Sequence, residues 1–220
     1  MREFTVNRFR TARGKVLREK IETLSARLGR SIRVLDVGGR PDYWDNVGLD
    51  GIEHISLMNI DPAELDRPMP DATLFTPVLG NACDLSDHAD NSFDLVHSNS
   101  VIEHVGGWPN MVAMAREVMR VGQAGWIQTP AWEFPVEPHF RTLFMHWFGG
   151  PAQRAMFSMS FEKRLRTLPF EKRRAALDGV NLLSHREVRE LFPEREIYVE
   201  RLAFWPKSYS VHWMPDTAEK

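Results

Sequence analysis

The sequence predicts a doubly wound α/β chain with a mostly parallel sheet, on three observations. Short apolar, β-branched runs alternate with helical patterns at the spacing of β-α-β units. The first run stops on Gly38-Gly39, where a strand gives way to a loop with no side chain in the way. The last two runs lie only a few residues apart, too close for a crossover helix, so they form an antiparallel hairpin that closes the sheet.

Taken in order, residues 6–29 carry Phe9, Val16, Leu17, Ile21, Leu24 and Leu28 at helical spacing, with Arg and Lys between them. This is an amphipathic helix that ends at Gly29 and fills an N-terminal segment, 1–30. Residues 31–37 follow as a buried strand. Further strands are expected at 55–60, 93–97, 126–129, 197–204 and 209–213, with the turn of the final hairpin at 205–208. Helical patterns cover 111–121 and 185–192, and the latter opens with Ser184 and Glu187 at capping-box spacing. Residues 131–183 break the alternation with aromatic residues, prolines and a basic, helical-looking stretch. They are expected to be a helical insertion that caps one edge of a single domain spanning 1–220.

Composition sets the outer limits. The 220 residues are 43% hydrophobic, enough for a sizeable core. One cysteine, Cys83, excludes an internal disulfide framework. No apolar run reaches the length of a membrane span, and the N-terminus lacks the apolar centre of a secretory signal, so a cytoplasmic protein is expected. Residues 1–30 hold nine Lys/Arg against three Glu, and residues 31–100 hold thirteen Asp/Glu against three Arg. An acidic half suits a cationic ligand, although solvated faces and loop aspartates produce the same imbalance.

In a doubly wound sheet ligands bind beyond the carboxyl ends of the strands, so the strand ends carry the information. A dinucleotide enzyme would show G-x-G-x-x-G there, with the pyrophosphate on a helix N-terminus. This chain instead places Asp36 just before Gly38 and Gly39. A carboxylate at that point repels a pyrophosphate and suits an ammonium or sulfonium group. The second strand ends Asn59-Ile60-Asp61-Pro62, which reads either as a ribose-binding end or as a turn with helix-start chemistry.

With these residues in place, the chain resembles the class I S-adenosylmethionine-dependent methyltransferases of the type 11 group. Leu35-Asp36-Val37-Gly38-Gly39-Arg40-Pro41-Asp42 stands where that group has L-D-x-G-x-G-x-G, with Arg40 and Asp42 replacing two glycines. Gly80-Asn81-Ala82-Cys83-Asp84-Leu85 is similar to its adenine segment, and Ser92-Phe93-Asp94-Leu95-Val96 to the signature of its fourth strand. Glu117, Arg120, Val121 and Gly125 match the helix exit that follows. The resemblance covers about 32–130 and the final hairpin. It implies a seven-stranded Rossmann-like sheet, S-adenosyl-L-methionine as cofactor, and a cofactor site made of Asp36, Gly38, Gly39, Arg40, Asn59, Asp61, Asn81, Ala82, Asp84 and Asn99. Loss of the two glycines leaves a non-catalytic binding module as the alternative, and a nicotinamide-dependent enzyme as a further one.

Methyl transfer from a sulfonium needs alignment and, for a hydroxyl acceptor, removal of a proton. His104, just after the fourth strand, is the first candidate for the base, because imidazole titrates near neutrality. Glu103 and His139 complete the catalytic candidates. The resemblance puts Glu137 and His139, in a P-x-E-P-H segment, over the cofactor and facing the acceptor. Some members of the group bind a divalent metal through E-x-x-E-H; Ser100 replaces the first Glu here, so no metal is expected. The expected acceptor is a small molecule, such as a sugar, lipid-linked glycan or natural-product hydroxyl. Nucleic acid is not expected, since the chain is not strongly basic and carries no nucleic-acid-binding signature.

Overall fold

The computed structural model describes residues 8–66, 68–161 and 163–215. Residues 6 and 7 of the expected first helix lie outside the described residues. The helix Arg8–Leu28 buries Leu17, Ile21 and Leu24, the face that the periodicity marked, and ends at Gly29 with φ 65°. Seven strands then form one sheet: β1 Ile32–Val37, β2 Ile52–Asn59, β3 Phe75–Leu79, β4 Phe93–Asn99, β5 Gly122–Pro130, β8 Glu196–Leu202 and β9 Trp205–Trp213. Their order is β3-β2-β1-β4-β5-β9-β8. β1 sits between β2 and β4 and is parallel to both, so Asp36 is in register with Leu57 on one side and His97 on the other. The order reverses at β1, the switch point where such sheets bind ligands. A short antiparallel ribbon, β6 Val136–Glu137 with β7 Thr142–Leu143, stands apart from the sheet.

Two expectations are corrected. β3 has no counterpart among the strands read from the residue pattern, because only Phe75 of its five residues is buried and Pro77 interrupts it. An edge strand tolerates both, since its outer groups need no partner. The hairpin turn is not at 205–208. It falls at Ala203-Phe204, where Ala203 takes φ 54°, and Trp205 to Ser208 continue as β9. Pro206 misled the reading; as the second residue of its strand it sits where the missing N–H is tolerated.

The chain divides into two compact units. The first comprises Met1–Asn99, Met114–Ile127 and His212–Lys220, the second Ser100–Ala113 and Gln128–Val211. In the first unit Asp94 is fully buried and accepts two hydrogen bonds from the Arg30 guanidinium and one from the Arg33 N–H, each at 2.8 Å. Burial alone would raise its pKa, but these donors outweigh it and hold the carboxyl below the ordinary range. Glu117 and Arg120 clamp the loop before β4: Glu117 accepts from the Leu85 N–H, and Arg120 donates to the Leu85 and His88 carbonyls. The E-x-x-R pair is therefore a structural tie within its unit.

In the second unit Phe140, Met145, Phe157 and Leu177 form a core within the insertion, with Val180 packed against it. Ser184 and Glu187 close the capping box read from the sequence, at the start of the helix His185–Leu191. Tyr209 donates to Glu133 at 2.6 Å, and Glu133 also accepts from the His185 N–H.

Candidate active site

In the first unit the site is built at the end of β1. Gly38 has φ 69°, a left-handed conformation that favours glycine, and its N–H donates to the Met58 carbonyl at 2.7 Å. Gly39 is glycine for space. A Cβ there would lie 2.0 Å from both Cγ and Oδ2 of Asp36. The Asp36 carboxylate is fully buried and both oxygens are engaged: Trp44 Nε1–H donates to Oδ2 at 2.8 Å, and His97 Nδ1 meets Oδ1 at 2.6 Å. Tyr43 packs against His97 with ring centroids 4.6 Å apart and planes tilted by 38°. Asp36 thus anchors the loop through a Trp44–Asp36–His97 network, and its charge acts from beneath the surface.

The other expected cofactor residues occupy the neighbouring strand ends. Arg40 pairs with Glu64 through two contacts of 3.0 Å, tying the loop after β1 to the one after β2. Asn59 Oδ1 accepts from the Asp61 N–H, and Asp61 caps the short helix Pro62–Leu65 through the Ala63 N–H. The turn reading of this segment therefore describes its geometry. Asn81 Oδ1 accepts from the Cys83 N–H, and Asp84 from the Ser86 N–H, folding the segment with Ala82 into a tight turn. A hydrogen bond with the Ser86 side chain is the main cause holding the Asp84 carboxyl low, with the bond from the Ser86 N–H second. Asn99, at the end of β4, has a buried Oδ1 with no hydrogen-bond partner, and so does His97 Nε2. Both are polar atoms that a ligand could satisfy.

In the second unit the structure brings Glu103, His104 and His139 together. Glu103 and His104 lie on the 3-10 turn Ile102–His104, which begins two residues after Ser100 takes φ 57°. His139 sits at the tip of the β6–β7 ribbon, held by Glu137. That carboxylate meets His139 Nδ1 at 2.7 Å through one oxygen and accepts the Phe140 N–H through the other. His104 Nδ1 meets the Gly179 carbonyl at 2.9 Å, and the Asn181 N–H donates to the Glu103 carbonyl at 2.8 Å. The two Nε2 atoms face each other at 3.1 Å, and Glu103 Oε1 lies 3.9 Å from that of His139.

Burial raises the Glu103 pKa above the ordinary carboxylate range. For His139 burial acts downward, but the hydrogen bond and charge of Glu137, with the charge of Glu103, outweigh it and raise the pKa. Glu103 Oε2 accepts from Thr129 at 3.0 Å, while Oε1 is buried and has no partner.

A cavity of about 530 Å³ in the second unit is lined by Glu137, His146, Trp132, Phe140 and Phe148, among others. Glu137 is thus shared between the histidine cluster and the cavity wall. His97, Trp44 and His146 were not singled out in the sequence. His97 is legible only through strand register, as the β4 residue opposite Asp36. For His146 no sequence signal distinguished it from its aromatic neighbours.

The fold and these strand-end features define a protein of the Rossmann-like methyltransferase class. The family described as methyltransferase domain matches residues 8–196. The chain belongs to that family. No curated protein matches it. Among solved structures, a SAM-dependent methyltransferase from Methanosarcina mazei is similar at a TM-score of 0.55 and 14% identity, covering 85% of this chain and 94% of that one. The N-terminal domain of EvdMO1, crystallised in the presence of SAH and D-fucose, gives 0.57 and 15%, covering 96% and 84%. An S-adenosylmethionine-dependent methyltransferase from Mesorhizobium loti gives 0.55 and 13%, covering 83% and 90%. At these identities the likeness is one of fold. Among the described residues no helix is long and apolar enough to cross a membrane.

Proposed function

We propose that the protein transfers a methyl group from S-adenosylmethionine to a hydroxyl of a small-molecule acceptor. The family supports methyl transfer. The single observation that carries the acceptor class is the aromatic cavity of about 530 Å³ with Glu137 in its wall. Its volume lies in the range of small-molecule sites, and its wall joins aromatic rings with polar groups such as Glu137, His146, Asp178 and Asn181, which suit a hydroxylated acceptor. The crystallisation of the EvdMO1 domain with D-fucose agrees with a hydroxylated acceptor.

The cofactor would be held by the first unit. Gly38, left-handed at φ 69°, would turn the backbone toward the cofactor, Gly39 makes room for the Asp36 carboxylate, Asn59 and Asp61 would meet the ribose, and Asn81-Ala82 the adenine. The unpartnered Oδ1 of Asn99 is an acceptor available to a ligand N–H or O–H. Arg40 and Asp84 would shape the neighbouring loops. The bound cofactor supplies a methyl carbon already activated by the sulfonium. This chain's residues align the acceptor, exclude water and take up its proton, the last assigned to the Glu103–His104–His139 cluster with His104 as its exposed member.

Titration calorimetry with S-adenosylhomocysteine and NAD tests the cofactor. Tight NAD binding with no response to S-adenosylhomocysteine would return the chain to a nicotinamide enzyme. A well-folded protein that binds neither would be a non-catalytic module. A labelled-methyl transfer screen against metabolite extracts tests the acceptor; label found only in nucleic acid or protein would overturn the small-molecule reading.

A further inference from the structure

The insertion carries a second, smaller cavity of about 230 Å³, between the helices Gly150–Ala155 and Phe170–Asp178. Arg154, Ala155, Phe170, Arg173 and Arg174 line it, so three of its five lining residues are arginines. Guanidinium groups gathered around one small space repel each other, and the arrangement is costly unless negative charge enters it. Asp178 answers one of them, accepting from Arg174 Nε at 2.7 Å. Among the described residues Arg154 and Arg173 have no side-chain hydrogen bond or ion pair. The Nε–H of Arg173 is moreover buried, and a buried donor without an acceptor costs free energy that a ligand oxygen would recover. The surroundings add to the positive potential: residues 150–180 hold seven Lys/Arg against three Asp/Glu, in a chain whose net charge is -2.

We propose that Arg154, Arg173 and Arg174 hold the phosphate group of a small phosphate ester. Such a group carries a charge of about −1.5 to −2 at neutral pH and offers three acceptor oxygens, which answers the two guanidinium groups left without a counter-charge in contact. A carboxylate brings only one charge and two oxygens. Guanidinium forks also bond phosphate oxygens in pairs, a geometry that lysine ammonium groups do not offer.

Two further features point to an ester rather than free phosphate. The cavity is smaller than the roughly 300–1,000 Å³ of a site that encloses a whole ligand, so it admits the phosphate and leaves the organic part outside. Phe170, 65% exposed, lines the same cavity and offers an apolar ring for that part to pack against. The same two helices wall the larger cavity, through Gln153 and Asp178, whose neighbours Arg154 and Arg174 face the smaller one. The site goes beyond the methyl-transfer reading, because its charge and geometry stand whatever the acceptor is.

The test titrates the full chain with phenyl phosphate, inorganic phosphate and acetate at low ionic strength, followed by ¹⁵N spectra of the arginine Nε–H groups. The expected result is saturable binding of phenyl phosphate with a Kd of about 1 mM or tighter, a shift of the Arg173 Nε–H, weaker binding of inorganic phosphate and no comparable response to acetate. Arg154→Gln and Arg173→Gln should each weaken phenyl phosphate about fivefold or more, since each removes a charge-assisted donor. Phe170→Ala should weaken phenyl phosphate and leave inorganic phosphate unchanged. Arg116→Gln, exposed on the helix Trp108–Val121, should change neither. Circular dichroism separates a lost site from a lost fold, and the Arg173 Nε–H shift is read on the parent alone. No saturable binding of phenyl phosphate up to about 10 mM, acetate bound as tightly, or binding unchanged in both arginine variants would each overturn the proposal. So would binding to phosphatidic acid vesicles or to RNA with no response to the soluble ester.

Discussion

Replacing Gly39 by alanine should collapse the network at the end of β1, and its cost can be worked from distances. The added methyl would lie 2.0 Å from Asp36 Cγ and Oδ2 and 2.6 Å from Oδ1. Ordinary contact needs about 3.5 Å, so the carboxylate must retreat by about 1.5 Å. That breaks its bonds to Trp44 Nε1 at 2.8 Å and His97 Nδ1 at 2.6 Å. Each is a bond to a charged group worth about 1.5–3 kcal/mol, so the loss is about 3–6 kcal/mol. Against a total stability of about 5–15 kcal/mol, this is a large fraction.

The assay is urea unfolding followed by circular dichroism, in a double-mutant cycle with Asp36→Ala. Once the carboxylate is gone, Gly39→Ala should cost under about 1 kcal/mol, leaving a coupling of several kcal/mol. A Gly39→Ala variant within about 1 kcal/mol of the parent, or an undiminished cost in the Asp36→Ala background, would refute the argument.

Other perturbations follow from the same structure. Asp94→Ala should destabilise by about 3 kcal/mol, because the fully buried carboxylate gives up three hydrogen bonds, the part-buried one from the Arg33 N–H among them, while the half-exposed Arg30 regains water; thermal melts measure it. Since the folded Asp94 carboxyl titrates below its unfolded value, its contribution is fully present above the unfolded pKa and disappears as pH falls through the folded one. Acid unfolding of Asp94→Asn should accordingly be shallower than that of the parent below about pH 4. His104→Ala should lower turnover by about 10²–10⁴ with S-adenosylhomocysteine affinity unchanged, and turnover within about threefold of the parent would remove His104 from the chemistry. Ser184→Ala should cost about 1 kcal/mol by chemical denaturation, the value of an N-cap whose partner Glu187 is also in place.

Local patterns made much of the fold legible. Helical spacing marked Leu17, Ile21 and Leu24, which are buried on the first helix, and alternating apolar runs located every strand of the sheet except β3. Those signals are strong because a buried face needs apolar residues at the period of its own element. β3 escaped because an edge strand with one buried residue carries no such pattern. The hairpin turn was displaced because Ala203, not proline, takes the left-handed conformation.

The candidate site divides in the same way. The sequence alone determined the alternation of elements, the loop glycines after β1 and the residue types at each strand end. What Asp36 does there was decided by register, which sets His97 opposite it and leaves Gly39 as the only residue type that fits against its carboxylate. Glu103 and His104 were legible as neighbours, but His139 stands thirty-five positions further on. Only folding of the ribbon brings its Nε2 to 3.1 Å, and only the acceptors at Gly179 and Glu137 fix which nitrogen of each ring carries the proton. Sequence separation says nothing of such distances, because side chains far apart along the chain meet only through the packing of the elements that carry them.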